Sequence, residues 1–193
     1  MRSKVLLSAA IIVAAIGMAL PAGAATPING TGKFTCTIAG TIKFKPPLKN
    51  GSTAPSKVTI KAKLTACGSG TGDGAHVASG TVVGGYTTPT SDCSGLAGTS
   101  TVNLVATAKW KVTKGSNPLN PSSIQYTSVS GGATATNATF DATGTVTGGS
   151  FNGDTATAHA VIQESLATLA GDCGGKGIKT LHIQAAGSTN KLS

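Results

Sequence analysis

The chain has 193 residues with 27 glycines and seven aromatic side chains, and 15 lysines and arginines against six acids give it a formal net charge of +9. That length suits one domain with an adequate core. The only arginine, Arg2, lies in the N-terminal leader, which excludes bidentate phosphate or carboxylate recognition by a guanidinium fork from the rest of the chain. The absence of basic-aromatic interleaving argues against nucleic acid as a partner.

Residues 1 to 24 read as a cleavable signal peptide: Arg2 and Lys4, an apolar run of 16 residues from Val5 to Leu20, then Pro21 and the small residues Ala22-Gly23-Ala24-Ala25. The run falls short of the ~20 residues a membrane-spanning helix needs. Cleavage near Ala24-Ala25 leaves a single secreted domain, residues 25 to 193, with 13 lysines and a net charge of +7. Cys36 is too far from that junction to be a lipid-modified N-terminal cysteine.

Alternation with a period of two runs through the remaining sequence. In residues 34 to 44 the apolar or small phase is Phe34, Cys36, Ile38, Gly40, Ile42 and Phe44, and Pro46-Pro47 is expected to end the strand. A second strand turns Val58, Ile60, Ala62 and Leu64 inward, across a loop centred near Gly51. Residues 75 to 83 form a third. Residues 100 to 113 give the clearest pattern, with Val102, Leu104, Ala106, Ala108, Trp110 and Val112 on one face. Further strands are expected at residues 123 to 130, 139 to 147, 155 to 163 and 178 to 185, with one short helical stretch at 164 to 169. Gly68-Ser69-Gly70, Gly84-Gly85, Gly131-Gly132 and Gly174-Gly175 read as turns, and Asn152-Gly153 as a type I′ hairpin turn. The expected fold is all-β, an antiparallel β-sandwich, immunoglobulin-like in the broad sense, with a β-barrel as the alternative.

Cys36, Cys67, Cys93 and Cys173 contain no Cys-x-x-C and no histidine at zinc-finger spacing, so two disulfides are expected and no metal site. Three pairings are open. The strand layout favours Cys36-Cys67 and Cys93-Cys173. Cys36 stands on the inward phase and Cys67 on the outward phase, so the first bond requires a bulge near Cys67 or a crossing between sheets.

Lys43, Lys45, Lys61, Lys63, Lys109 and Lys111 all fall on outward phases. Such lysines protect strand edges; gathered into one patch they would bind an anionic cell-wall polymer or membrane surface. Chemistry-bearing groups are sparse. Asp73, Asp92, Asp141, Asp154 and Asp172 with Glu164 sit mostly in turns, and His76, His159 and His182 are isolated, the latter two on outward phases. No nucleophile elbow, phosphate loop or calcium loop is present, so no catalytic residue and no cofactor is assigned. Trp110 is placed in the core, and Tyr86, Tyr126 and Phe151 are the candidates for exposed aromatics.

The stretch from Cys36 to Leu48 (Cys-Thr-Ile-Ala-Gly-Thr-Ile-Lys-Phe-Lys-Pro-Pro-Leu), the strand ending at Cys67, Lys109-Trp110, Gly149-Ser150-Phe151-Asn152-Gly153 and the late Cys173 resemble a group of small secreted proteins of actinobacteria. The resemblance implies export and a β-rich fold and carries over no functional residue. The function expected is non-enzymatic: an extracellular or envelope-associated binding or structural protein with a lysine-rich face. The alternative is an extracellular hydrolase or metal-dependent enzyme whose Asp, Glu or His residues assemble in space.

Overall fold

A computed structural model describes residues 25 to 96 and 98 to 193; the expected signal peptide, residues 1 to 24, lies outside them. Eight strands follow in chain order: β1 (Phe34–Leu48), β2 (Ser56–Gly68), β3 (Val77–Thr88), β4 (Gly98–Val112), β5 (Ser122–Ala133), β6 (Asn137–Gly148), β7 (Thr155–Ser165) and β8 (Ile178–Leu192). One helix, α1 (Leu166–Gly174), joins β7 to β8, its N-terminus capped by Ser165, whose hydroxyl accepts from the Thr168 N–H. Each strand pairs antiparallel with the next, and β8 returns to pair with β1. The all-β, antiparallel expectation therefore holds in its barrel form. The sandwich is corrected: the sheet closes on itself, which removes both edges.

Three strand and turn expectations also change. Pro46-Pro47 does not end β1, which continues to Leu48 through a cis Lys45–Pro46 peptide. These prolines occupy the stretch where β1 has left its regular register with β8, between Lys43 and Leu48, so the missing N–H groups break no ladder bond. Gly84-Gly85 and Gly131-Gly132 lie inside β3 and β5, not in turns. A Cβ on inward-facing Gly84 would stand 2.7 Å from the Ala106 Cβ, and one on Gly144 would stand 2.6 Å from the Tyr126 Cα. Strand glycines thus let neighbouring strands coil tightly enough to close. The β6–β7 connection is longer than a two-residue turn: positive φ falls on Gly149, Phe151 and Gly153 and not on Asn152.

One end of the barrel is plugged. Phe34, Trp110 and Phe151 meet edge to face with ring centroids 5.0 to 5.7 Å apart, a geometry that sets ring edges against π faces. Trp110 Nε1 donates to Ser122 Oγ at 2.8 Å, and that hydroxyl donates to the Ser150 carbonyl at 2.6 Å. Leu64, Val146 and Leu192 complete this packing level, all buried. The segment before β1 crosses the same end, bonded through Ile28 to Pro118 and Asn120, and through Gly30 to Phe151. Phe151 and Tyr126 are buried core residues, correcting their candidacy as exposed aromatics: each carries its polar or backbone group to an internal partner.

The disulfides are Cys36–Cys67 and Cys93–Cys173. The phase conflict of the first is resolved by a bulge, since Thr35 pairs with Gly68 while Thr37 pairs with Thr65, leaving an extra residue on β2. Ala66, at φ 47°, makes the turn that brings Cys67 round to Cys36. The disulfides fit an oxidising environment. Among the described residues no helix is long and apolar enough to cross a membrane.

Candidate functional site

Large side chains fill the plugged end, but halfway along the barrel the inward positions are small. Gly40, Ala62, Gly84, Ala106, Ala142, Gly144, Ala158 and Ala160 occupy them on six different strands. Eight strands close around a space just wide enough for side chains to fill, or for one small ligand when they do not. The result is a cavity of about 290 Å³, at the small end of the range for ligand sites of roughly 300–1,000 Å³.

Every strand contributes an apolar wall residue: Ile38 and Ile42, Ile60, Val82, Leu104, Val129, Phe140, Ala160, and Leu181 with Ile183. Ile42, Ile60, Tyr86, Val102, Phe140 and Ala142 pack against the core yet are incompletely covered, because they face this space instead of one another. The rim opposite the aromatic plug is polar, built from Thr88, Thr90, Asp92, Ser100, Thr101 and Asn103. Part of that end is stitched shut. Lys49 N–H donates to the Ser91 carbonyl, Asn50 N–H to the Cys173 carbonyl, and Gly51 N–H to Asp92 Oδ1, while Cys93–Cys173 ties the short 3₁₀ turn after β3 to α1. Hydrogen bonds from the Ser94 hydroxyl and N–H, then from Gly51, hold the Asp92 carboxyl below its ordinary pKa despite some desolvation.

Two polar side chains reach the inner part of the cavity. Asn190, 1% exposed, stands two residues before Leu192, the partner of Phe34 at the plug. Its amide nitrogen donates to the Tyr126 hydroxyl over a long 3.5 Å. Asn190 Oδ1 is buried with no hydrogen-bond partner. Burial raises the Tyr126 pKa, and the bond from Asn190 offsets that only in part. Asn190 escapes sequence reading: β8 slips phase relative to β1 between residues 183 and 189, opposite Gly40 and Thr37, with Gly187 at positive φ, so the alternation of residues 178 to 185 does not carry through to it.

Outside, the six sequence-assigned lysines are all exposed, as is Lys57. They lie on β1, β2 and β4, with β3 completing a four-strand face. Lys45 stands opposite Lys57, Thr41 opposite Lys61, and Thr81 lies between Lys63 and Lys109 in one cross-strand row. None of the six acids falls in β1 to β4. Val83 and Val105, 50% and 54% exposed, are diagonal neighbours in the middle of the face. This outward surface of lysine and threonine around an apolar interior is the inverse of a membrane-spanning barrel, whose outer band is apolar.

The histidines do not enter the cavity. His159 Nδ1 meets Asp141 Oδ1 at 2.6 Å across β6 and β7, and His182 Nδ1 meets Glu164 Oε1 at 2.5 Å across β7 and β8, so two of the three histidines are paired rather than isolated. Burial raises the Glu164 pKa, but the ring and backbone N–H bonds of His182 outweigh it and lower the value. Both pairs sit on the outer wall. Asp73 accepts from the Thr31 N–H at 2.9 Å and staples the 3₁₀ turn of Gly72–His76 to the segment before β1. Among the described residues no three His, Cys, Asp or Glu side chains gather closely enough to hold a metal ion. No protein-family model, curated protein or solved structure matches this chain.

Proposed function

We propose that the protein is exported, cleaved near Ala24-Ala25, and acts outside the cell as a non-enzymatic carrier that holds a small apolar molecule inside the barrel. The observation that carries this reading is the cavity walled by apolar side chains from all eight strands. Transfer of apolar ligand surface from water to that wall supplies the affinity, at about 25 cal/mol per Å² of surface buried. Hydrolysis is disfavoured because, among the described residues, Asp92 is the one carboxylate in the cavity lining, whereas acid–base chemistry on a bound substrate needs convergent groups.

The neutral fluorophore N-phenyl-1-naphthylamine tests it. Saturable fluorescence enhancement is expected with the wild-type protein, and Ala142→Phe or Ala158→Leu, each adding bulk to the lining, should weaken it by more than about tenfold, or roughly 1.4 kcal/mol. Trp110 emission checks that each variant is folded. Enhancement that does not saturate, or that both folded variants retain, overturns the carrier reading.

A second reading concerns location and rests on the acid-free lysine face of β1 to β4. Opposed like charges such as Lys45 and Lys57 destabilise a sheet, and seven exposed lysines on this one side give a field that draws the protein to an anionic cell-wall polymer or membrane surface. Co-sedimentation with purified wall and with phosphatidylglycerol vesicles checks it. The Lys43→Gln, Lys61→Gln, Lys63→Gln, Lys109→Gln variant should lose most of the pelleted fraction, and the wild type should release as salt rises, because exposed charges are screened within about 10 Å at 0.1 M salt. Pelleting indifferent to both changes removes this reading.

A further inference from the structure

The carrier reading leaves one feature of the cavity unexplained, the polar pair at its inner end. A wall made only for hydrocarbon would place an apolar residue at position 190, as neighbouring inward positions do with Leu181, Ile183 and Leu192. Asn190 instead brings an amide into a dry site, where a polar group without a partner is costly. Tyr126 offers that amide a single hydroxyl, 3.5 Å from its nitrogen. One hydroxyl cannot satisfy both ends of an amide: in either orientation of the Asn190 side chain, the oxygen or the NH₂ group is left over.

We propose that the carried molecule is a neutral amphiphile whose hydroxyl group seats against Asn190 and Tyr126, with its apolar body extending toward the polar rim. A hydroxyl both donates and accepts, so it can donate to Asn190 Oδ1 and accept from the Tyr126 phenol. A carboxylate would find no cation, since among the described residues no lysine, arginine or histidine lines the cavity, and Asp92 at the rim repels an entering anion. A plain hydrocarbon would leave the amide unsatisfied. The phenol remains a donor because burial keeps it protonated. The apolar body then meets Ile42, Ile60, Leu104 and Phe140.

This inference rests on the carrier reading, and one displacement series separates the two. Decan-1-ol, its methyl ether and decanoate compete against N-phenyl-1-naphthylamine on the wild type, Asn190→Leu and Tyr126→Phe proteins, with each result corrected for the probe's own affinity. On the wild type the alcohol should bind about tenfold tighter than the ether or the carboxylate, the ratio that one well-made buried hydrogen bond supplies. Asn190→Leu, close in volume to the native residue, should reduce that preference to within about twofold, and Tyr126→Phe should weaken it in the same direction. Trp110 emission and far-UV circular dichroism establish that the variants are folded. Saturable probe binding with equal affinities for alcohol and ether overturns this inference alone. So does an alcohol preference that survives both variants, which places the hydroxyl at the threonine-rich rim. Failure of the probe to bind the wild type removes the carrier reading and this inference together.

Discussion

Phe34→Ala is expected to lower the stability of the barrel by about 3 to 5 kcal/mol, the range for truncating a large buried aromatic. Phe34 is 1% exposed and makes the two shorter ring contacts of the cluster, at 5.2 Å from Trp110 and 5.0 Å from Phe151. Its removal costs the transfer free energy of the ring and leaves a void that the neighbours cannot fill. Trp110 is pinned by its bond to Ser122, and Phe151 by its N–H bond to the Gly30 carbonyl. Strand closure adds to the effect, because Phe34 pairs with Leu192 where β1 meets β8. Urea unfolding followed by Trp110, the only tryptophan in the chain, measures it directly. Val105→Ala, on the exposed outer wall, should stay within about 0.5 kcal/mol of wild type. A Phe34→Ala loss no larger than that control would show that the aromatic plug does not hold the closed end together.

That cluster also marks where sequence reasoning succeeds and where it stops. Phe34 and Trp110 announce their burial through alternation, since each sits in phase with other apolar residues on its own strand. Phe151 does not, because it lies in the connection between β6 and β7 at φ 64°, where no period applies. The choice between sandwich and barrel is hidden for a related reason. Both architectures bury one face of every strand, so the alternation is identical, and only the pairing of Phe34 with Leu192, 158 positions apart in the chain, distinguishes them. The lysine face is legible because outward phase alone places each lysine, although its continuity depends on β3 lying between β2 and β4. The cavity is the least legible feature. It arises from what is missing, small residues at one level on strands far apart in sequence, and a glycine such as Gly84 reads locally as a turn. A single strand carries no sign that its neighbours are also small there.

Removing the disulfides should have effects of similar size to the loss of Phe34, with a definite order. In the chain-entropy account a cross-link stabilises by restricting the unfolded chain, with a cost that grows with the logarithm of loop length. Cys93–Cys173 spans 80 positions and Cys36–Cys67 spans 31, which correspond to about 4.5 and about 3.7 kcal/mol respectively in that account. For a domain of this size Cys93→Ala with Cys173→Ala should lower Tm by roughly 10 to 18 °C, and the Cys36→Ala, Cys67→Ala pair by somewhat less. Differential scanning calorimetry of the two double variants checks both the size and the order. Their sites predict different consequences for binding. Cys36–Cys67 sits near the plug, where Cys36 is wholly buried, and its loss should leave probe affinity in the folded protein unchanged. Cys93–Cys173 fastens the turn that carries Leu96 and Asp92 at the rim, so its loss should loosen the opening and speed probe release. Equal release rates from the two variants would mean that the backbone bonds from Lys49, Asn50 and Gly51 hold that end closed without the covalent link. An inverted order of melting temperatures would place the dominant effect in native-state packing around Cys36 rather than in the freedom of the unfolded chain.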